Sequence, residues 1–313
     1  MKVLFLINPN AGGRGNRKAV ELARERFVSA GWDVAPEFTK SPEHAADLIS
    51  SSRDNGFDLL VVAGGDGTVH NAVQSIPLGS LEDPSPLPIA IIPLGSGNDF
   101  FRGTGAPFDP AGAALNIIEG RNTPVDIGIV EPLSPDGSLR DEKPVRFINS
   151  AGAGIDSQTL ATRENAPAFL SARYEILFLI TLFTLHPLDV RLEADDWTIE
   201  REVSMVLCCN NGWFGTGMRV APDAKINDGQ FDVLIIDKMP KWRFVANLHK
   251  VFKGTHLELD TIEIRPASSL TIHCKPEQRV ATDGDRAYPT PVRIRLISGG
   301  VTLRTSHLNG RKL

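Results

Sequence analysis

The chain has 313 residues, of which 42% are hydrophobic and 23% are charged, and its formal net charge is -5. These values are typical of a folded globular protein and exclude disordered and collagen-like chains. The negative charge argues against wrapping of nucleic acid, which needs a basic surface, so we expect no nucleic-acid partner. The three cysteines show no zinc-binding spacing and indicate a protein with reduced thiols in the cytoplasm.

The first part of the chain alternates strand and helix patterns. We predict strands at KVLFLIN, WDVAPEFT, FDLLVVAG and PIAIIPLG, and helices at RKAVELARERFVSAG, SPEHAADLISSSRDNG, TVHNAVQSI and PAGAALNIIEG. Ser41 suits the N-cap of the second helix, Pro42 its first position and Gly56 its end. Apolar strands joined by helices predict a parallel sheet that is covered on both faces.

After Asp126 the pattern changes to short runs that alternate apolar and polar residues, as antiparallel strands with one wet face do. Two helices are predicted in this part, at 166–185 and at Lys241–Lys253. The first is apolar nearly all round, which fits a buried helix on the second sheet, a wall for a lipid chain or a membrane-facing surface. Its apolar run is shorter than the ~20 residues that a spanning helix needs, so we expect a soluble or peripheral protein.

Three turn-rich segments each follow a predicted strand: NPNAGGRGN at 8–16, GGDGT at 64–68 and PLGSGND at 93–99. The carboxyl ends of parallel strands lie at one edge of a sheet, where open α/β folds bind ligands. Glycines let backbone amides approach anionic oxygens, and a following helix adds its positive N-terminal end. The sequence therefore predicts a phosphate-binding site at this edge.

No Walker lysine is present, because the chain contains no G-x-x-x-x-G-K-[ST]. Phosphate binding would then rest on backbone amides, on asparagines and on Arg14 or Lys18, with metal ions neutralising charge. Asp66 lies among glycines and is predicted to point into the cleft, the alternative being an aspartate that fixes its own turn.

The second part contains the segment ATDGDRAY with two acids around Gly284. If the segment is extended, Asp283 and Asp285 face the same way and could divide proton acceptance and magnesium contact between them. The alternative is a plain hairpin turn. Similarly, Asp223 and Asp228 could hold a hard cation or belong to a solvated hairpin. The histidines show no ligand or triad spacing.

The motifs NPNAGG, GGDGTVHNAV, PLGSGNDFFR, NSAGAGIDS, APDAKINDGQFDV and TDGD occur in this order. With them the chain resembles the soluble bacterial lipid kinases of the diacylglycerol kinase and sphingosine kinase superfamily, over residues 8–285. The resemblance implies an NAD-kinase-like α/β domain at 1–127, with a parallel sheet flanked by helices. It also implies a mainly β, sandwich-like lipid-substrate domain at 128–300, an active site between the two, and a segment 301–313 that packs back on the first domain.

The resemblance also assigns residues. The nucleotide would contact Asn8, Asn10, Gly64, Gly65, Asp66, Gly67, Thr68, Gly95, Ser96, Asn98 and Asp285. Magnesium would be held by Asp66, Asp99 and Asp285, and a structural metal by Asp228. Asp283 would be the general base on the lipid hydroxyl, and Asp66 would be the second catalytic aspartate. Asp126 would lie near the acceptor. The family's usual D-G-E is D-G-D here, so the shorter side chain of Asp285 would need a water bridge to reach the metal.

We therefore predict an ATP- and Mg²⁺-dependent kinase that phosphorylates the hydroxyl of a diacylglycerol-like lipid at a membrane surface. It would be cytoplasmic and peripheral at the inner face of the membrane, with a homodimer as one assembly. Two alternatives are an NAD kinase-like transferase and a non-catalytic regulator that binds nucleotide or lipid. NAD kinases commonly carry an Asn-Glu dipeptide after G-G-D-G-T, and this sequence has none.

Overall fold

A computed structural model describes residues 1–12, 16–167 and 174–313. The N-terminal part contains four parallel strands: β1 (Lys2–Ile7), β2 (Asp33–Phe38), β3 (Leu59–Gly64) and β4 (Ile89–Pro93). Its helices are α1 (Asn16–Ser29), α2 (Pro42–Ser52), α3 (Asp66–Ser75), α4 (Asp99–Thr104) and α5 (Pro110–Ile118). Every residue of β3 and β4 is buried, because apolar helix faces cover the sheet.

The second helix begins as its sequence predicts. The Ser41 hydroxyl accepts a hydrogen bond from the His44 N–H at 3.2 Å, and Pro42 occupies the first turn. The helix ends at Ser52, before a turn that reaches Gly56 at φ +72. The predicted start is confirmed, and the end lies earlier than Gly56 because the intervening residues form turns.

The C-terminal part is mainly β. Its strands are β5 (Arg121–Pro132), β6 (Val145–Phe147), β7 (Ser150–Gly154), β8 (Leu188–Ala194), β9 (Thr198–Cys209), β10 (Trp213–Phe214), β11 (Met218–Arg219), β12 (Phe231–Asp237), β13 (Ile262–Ala267), β14 (Ser269–Lys275), β15 (Arg279–Thr282), β16 (Asp285–Pro289), β17 (Val292–Thr305), β18 (His307–Leu308) and β19 (Arg311–Lys312). The helices are α6 (Ile155–Asn165), α7 (Tyr174–Thr184) and α8 (Lys241–Lys253), with a short 3-10 turn at His256–Glu258.

One sheet connects both parts of the molecule. Its described strands run in the order β16-β15-β7-β9-β8-β14-β17-β4-β3-β1-β2, while β5 also pairs with β17 and β12 with β9. Strand β17 is the link, because its first half pairs with β14 and its second half lies parallel to β4 at Leu303 and Ile89. The register shifts between Ile297 and Val301, where Gly299 and Gly300 interrupt the pairing with β5.

The predicted fold class is confirmed: an α/β part with a parallel sheet precedes a mainly β part. Several details differ from the sequence prediction: helix α4 and strands β15 and β16 were not predicted, and the predicted run RFINSAG is divided between β6 and β7. The runs VRIRLI and VTLRTS form the single strand β17, because the intervening glycines bend the strand without ending it. Helix α6 was not predicted, since its sequence IDSQTLATREN is largely polar and lacks a clear apolar stripe.

The predicted helix at 166–185 is described only in part. Residues 168–173 lie outside the described residues, and helix α7 covers Tyr174–Thr184. Within the described parts of the chain, no helix is long and apolar enough to cross a bilayer.

Candidate active site

The glycine-rich loops that follow β1, β3 and β4 lie side by side. A Cβ built on Gly65 would lie 3.0 Å from the Cα of Gly95, and one built on Gly95 would lie 2.5 Å from the Cα of Gly65. Neither position has room for a side chain, so the close approach of the two loops requires glycine at both. The first loop joins them through Asn8, whose side-chain amide donates to Oγ1 of Thr68 at 2.8 Å.

A polar cavity of about 190 Å³ lies on one side of these loops; we call it the Asn8 cavity. It is lined by Asn8, Asn10, Thr39, Lys40, Ser41, Pro42, Ala45, Thr68 and Asn71. The Asn10 N–H donates to Oδ1 of Asn8 at 2.9 Å, which holds the loop in shape. Lys40 supplies a cation to this cavity that the sequence motifs did not indicate.

A larger cleft of about 480 Å³ lies on the other side, between the two parts of the molecule; we call it the Asp66 cleft. The first part contributes residues of the second and third loops, and the second part contributes the turn before β7, helix α6, the β10–β11 hairpin and the β15–β16 hairpin. It is lined by Asp66, Gly67, Val69, Ser96, Asp99, Phe100, Ile148, Asn149, Ser150, Asp156, Leu160, Arg163, Phe214, Gly215, Thr216, Asp283, Gly284 and Asp285.

Two carboxylates of the first part face this cleft from the starts of helices. Oδ1 of Asp66 accepts a hydrogen bond from the Phe100 N–H at 3.4 Å. Burial raises the pKa of Asp66 to about 6, and the negative charge of Asp99 contributes to that rise. Burial also raises the pKa of Asp99, against the opposing effects of its Thr216 hydrogen bond and of Arg102. The pair therefore carries negative charge that its surroundings do not balance.

Asp99 is positioned by the second part of the molecule. Its Oδ2 accepts from the Thr216 N–H at 2.9 Å, and its carbonyl accepts from the Asn211 amide at 2.7 Å. Its Oδ1 is buried and, among the described residues, has no hydrogen-bond partner, with Nε of Arg102 3.9 Å away. A buried carboxylate oxygen without a donor, next to a second carboxylate of raised pKa, fits a divalent cation.

These two acids do not form a complete metal site by themselves. Across 1–12, 16–167 and 174–313, no three His, Cys, Asp or Glu side chains are grouped as metal ligands. Mg²⁺ is usually bound through one or two carboxylates together with substrate phosphates and water. The donor set therefore fits a magnesium ion that arrives with a phosphorylated substrate.

The D-G-D segment is the turn of a two-stranded hairpin. Thr282 and Asp285 pair across it, and Asp283 and Gly284 have φ values of 48 and 89. Positive φ at both central positions is the geometry of a tight type I′ hairpin turn. The segment is therefore not extended, and its two acids reach the Asp66 cleft through the turn rather than through alternation along a strand.

The carboxylate of Asp283 is saturated with hydrogen-bond donors. Oδ1 accepts from the N–H groups of Asn149 and Ser150, both at 2.9 Å. Oδ2 accepts from the Ile148 N–H at 2.9 Å and lies 3.2 Å from Nδ1 of His70. A carboxylate has about four acceptor positions, so all are occupied. Only 3% of this side chain is exposed.

His70 is a site residue that the sequence reasoning missed. It follows Asp66 by four positions on α3, so both side chains lie on the same face of that helix. Burial by itself lowers the pKa of His70, but the hydrogen bond to Asp283 and the charges of Asp283 and Asp285 outweigh it, and the pKa is raised. The four-residue spacing from Asp66 could have indicated His70. The contact between His70 and Asp283 could not have been predicted, because the two residues are 213 positions apart in the sequence.

Comparisons with known proteins agree with this geometry. A model of the diacylglycerol kinase catalytic domain matches residues 2–130, and one of the YegS C-terminal NAD kinase beta sandwich-like domain matches residues 149–305. The chain is 30% identical to a diacylglycerol kinase of Mycobacterium tuberculosis, over 98% of this chain and 96% of the relative. The chain belongs to the diacylglycerol kinase family.

Other members of the family extend the comparison. A diacylglycerol kinase of Bacillus subtilis is 28% identical over 90% of this chain and 88% of its own length. The crystal structure of a diacylglycerol kinase from Bacillus anthracis superposes with a TM-score of 0.72 at 25% identity, covering 97% of this chain and 96% of that one. The resemblance to lipid kinases is therefore confirmed, and the family names indicate a kinase.

Within this lipid kinase fold, the predicted nucleotide residues divide between the two cavities. Asn8, Asn10 and Thr68 line the Asn8 cavity, and Asp66, Gly67, Ser96 and Asp285 line the Asp66 cleft. Gly64 is buried behind Thr68, and Asn98 is buried with its amide bonded to its own turn at Gly95. Lys18 is exposed on α1, and Arg14 lies outside the described residues.

Asp126 and Asp228 do not line the cleft. Asp126 is fully buried, and its carboxylate accepts from the N–H groups of Gly229 and Gly299 and from the Ser298 hydroxyl at 2.7 to 3.0 Å. These hydrogen bonds are typical of a residue that stabilises the fold rather than of one that contacts an acceptor lipid. Partial burial raises the pKa of Asp228, and the charge of nearby Asp126 adds to that rise. The role of Asp228 in a structural metal site stays a prediction.

Proposed function

We propose that this protein is an ATP- and Mg²⁺-dependent kinase that phosphorylates the hydroxyl of a diacylglycerol-like lipid at a membrane surface. The observation that supports it most is the meeting of Asp66, Asp99 and the D-G-D hairpin in one cleft, directly beside the polar Asn8 cavity. Family membership supports the same class of reaction.

In this proposal the Asn8 cavity receives the nucleoside and the glycine loops receive the phosphates. The N-terminal turn of α3 directs its free N–H groups and its positive dipole end towards an anion. A Cβ on Gly67 would meet no atom of the described residues within 4 Å, which leaves room there for a phosphate oxygen. Lys40 lines the Asn8 cavity and would supply a cation on the nucleoside side.

Asp66 and Asp99 would hold the magnesium ion that accompanies the nucleotide. When bound, the ion would neutralise charge on the transferring phosphoryl group. Thr216 and Asn211 hold Asp99 in place from the second part of the chain, so contacts between the two parts position this carboxylate. Asp285 is exposed in the same cleft, where its short side chain would contact the ion through water.

Asp283 is proposed to accept the proton of the lipid hydroxyl. Its four hydrogen bonds require that one donor leaves before the hydroxyl can bind. Three of its donors are backbone N–H groups of the turn before β7, whereas the fourth, at 3.2 Å, is the His70 side chain. The hydroxyl must therefore take the place of His70 on Oδ2 before the proton moves. His70 thereby positions the acid until the acceptor arrives.

The test combines phosphate transfer with stability measurements. Purified protein should transfer label from γ-labelled ATP to dioleoylglycerol in detergent micelles, only with Mg²⁺, and mass spectrometry should identify phosphatidate. The same assay with phosphatidylglycerol, a sphingoid base and NAD would show whether the protein phosphorylates another acceptor instead. Transfer to NAD alone, or nucleotide binding without any transfer, would refute the proposal.

Asp283→Asn and Asp285→Asn are a matched pair for the proton acceptor. We expect Asp283→Asn to lose most activity and also to lower the melting temperature, because its amide places a donor against three backbone donors. Asp285→Asn should leave the melting temperature unchanged. Full activity in Asp283→Asn would remove Asp283 from the proton-accepting role, whatever its stability.

A further inference from the structure

Helix α8 is unusual because none of its residues is buried. One face, with Phe244, Leu248 and Val251, packs partly over the apolar core between β9 and β12. The opposite face carries three large apolar side chains: Trp242 is 72% exposed, Val245 42% and Phe252 51%. A soluble helix normally presents polar residues there, so this face needs a separate explanation.

These side chains form a continuous stripe. Trp242, Val245 and Phe252 share one helix face with the exposed His249, and ten residues of helix extend about 15 Å. Phe183 at the end of α7 is 65% exposed and lies close by, since the Lys241 side chain donates to its carbonyl oxygen. We call Phe183, Trp242, Val245 and Phe252 the α8 stripe.

Two lysines, Lys241 and Lys253, lie at the edges of the stripe on the helix surface. Helix α8 contains two arginine or lysine residues near each end and no acid. Arg243 and Lys250 are paired with Asp260 and Glu258 on one flank. Lys253 is exposed and, within the described residues, has no ion-pair partner. An aromatic and aliphatic stripe edged by cations is complementary to an anionic lipid headgroup region over an acyl layer.

The stripe is connected to the cleft by a short path. The end of α8 packs on the β10–β11 hairpin, where a Cβ on Gly254 would lie 3.6 Å from the Cβ of Arg219. Three residues earlier, the Thr216 N–H donates to Asp99 in the cleft, and three residues of chain extend at most about 10 Å. Phe214 of the same hairpin lines both the cleft and the apolar cavity beneath α8.

We propose that the α8 stripe is the membrane-docking surface of this protein, and that its partner is a bilayer containing anionic phospholipid. The inference deepens the proposed lipid kinase function and rests on it for its purpose, but the binding itself is independent of ATP. Trp242 and Phe252 enter the interface, and Lys253 meets the phosphate groups. The hairpin then holds the cleft at a constant distance from the lipid that supplies the hydroxyl.

The test uses two phenylalanines of similar exposure. Phe252 lies in the stripe, whereas Phe38, which is 54% exposed, lies on β2 in the other domain. Sedimentation with vesicles of phosphatidylcholine and phosphatidylglycerol, without ATP, should show that Phe252→Ala weakens binding about tenfold, as loss of one buried aromatic side chain predicts. Phe38→Ala should bind as the unchanged protein does, and pure phosphatidylcholine should bind all of them less.

A second measurement reports the insertion directly. Brominated phosphatidylcholine in the vesicles should quench tryptophan fluorescence of the unchanged protein. Trp242→Phe should keep vesicle binding but lose most of that quenching, because the other tryptophans lie outside the stripe. Equal quenching in Trp242→Phe, equal vesicle binding in Phe252→Ala, or equal loss in Phe38→Ala would each overturn the proposal.

Short-chain diacylglycerol in solution separates this inference from the proposed function. Phe252→Ala should phosphorylate the dissolved lipid at the rate of the unchanged protein, and both should have the same melting temperature. If the unchanged protein phosphorylates neither this lipid nor dioleoylglycerol in micelles, the kinase proposal fails while the vesicle result stands. If Phe252→Ala loses this activity as well, the helix serves the cleft and the docking proposal is overturned.

Discussion

Asp66 is the residue where stability and function oppose each other. Its raised pKa, about 6, means that the carboxylate is held in its charged form at neutral pH against burial and against Asp99. A carboxyl group whose pKa is higher in the folded than in the unfolded state favours folding at low pH, and that contribution is lost as pH rises through the folded-state value. At neutral pH the charged carboxylate of Asp66 therefore lowers the free energy of unfolding, and a bound cation would offset that loss.

Asp66→Asn should accordingly stabilise the cation-free protein. At pH 7.5 the gain should be on the order of 2 kcal/mol, and it should shrink as pH falls from about 6 towards 4, where the native carboxyl takes up its proton. Melting temperatures across this pH range would measure it. Mg²⁺ with ATP should stabilise the unchanged protein but not the variant, which should also lack activity. An equal response of both proteins would remove Asp66 from the cation site.

His70 and Asp283 show how a residue's chemistry depends on its neighbours. In the sequence, Asp283 is an acid in a short turn motif and His70 is one of seven histidines without a ligand pattern. In the structure each completes the other, since the imidazole fills the last acceptor position of the carboxylate. The raised pKa of His70 is the electrostatic result of that pairing.

At the scale of elements, the loops after β3 and β4 use their glycines for two different purposes. Gly65 is needed because Gly95 leaves no room for a Cβ, whereas Gly67 has open space in front of it. The first is a packing requirement and the second leaves room for a ligand. Sequence alone does not distinguish Gly65 from Gly67 among the three glycines of G-G-D-G-T.

Gly65→Ala and Gly67→Ala should separate these purposes. Gly65→Ala should destabilise the protein by about 1–3 kcal/mol through overpacking against Gly95. Gly67→Ala lies within α3 and should be neutral or stabilising by up to about 1 kcal/mol, because alanine favours helix over glycine. It should nevertheless raise the KM for ATP, since its methyl group occupies the phosphate approach. Chemical denaturation and ATP titration measure both effects, and an unchanged KM in Gly67→Ala would contradict the assignment.

The whole molecule is held together by β17 and by the residues around its glycine bend. Asp126 of β5 bonds to Ser298 and Gly299 at this bend and to Gly229 in the turn before β12. It therefore joins three segments at the boundary between the two parts of the molecule. These hydrogen bonds give Asp126 a structural role, and it lines neither of the cavities beside the glycine-rich loops.

Asp126→Ala should lower the free energy of unfolding by about 2–4 kcal/mol, because it leaves buried N–H groups without an acceptor. The folded fraction should keep the unchanged protein's KM for lipid. Asp228→Ala is the matched control, since Asp228 is exposed and should cost little stability in the absence of Mg²⁺. Normal stability of Asp126→Ala together with a raised lipid KM would instead support the predicted contact with the acceptor.

Local pattern was sufficient for the framework of this protein. Apolar runs of strand length, caps such as Ser41, and glycine turns after each strand are short-range features, and they predicted the parallel sheet and the edge where its loops meet. The motif order also indicated the family correctly. Helix α6 and the continuity of β17 were not predictable in this way, because a polar helix and a bent strand are stabilised by the core against which they pack.

The sequence by itself therefore determined the fold class, the family and the identity of the acids near the edge where the glycine-rich loops meet. Only the tertiary structure decided what each acid contacts. Asp283 receives its four donors from His70 and the turn before β7, and Asp99 receives Thr216 from a distant hairpin. Hydrogen-bond saturation, burial and charge proximity depend on which segments meet across the domain boundary, and no local pattern carries that information.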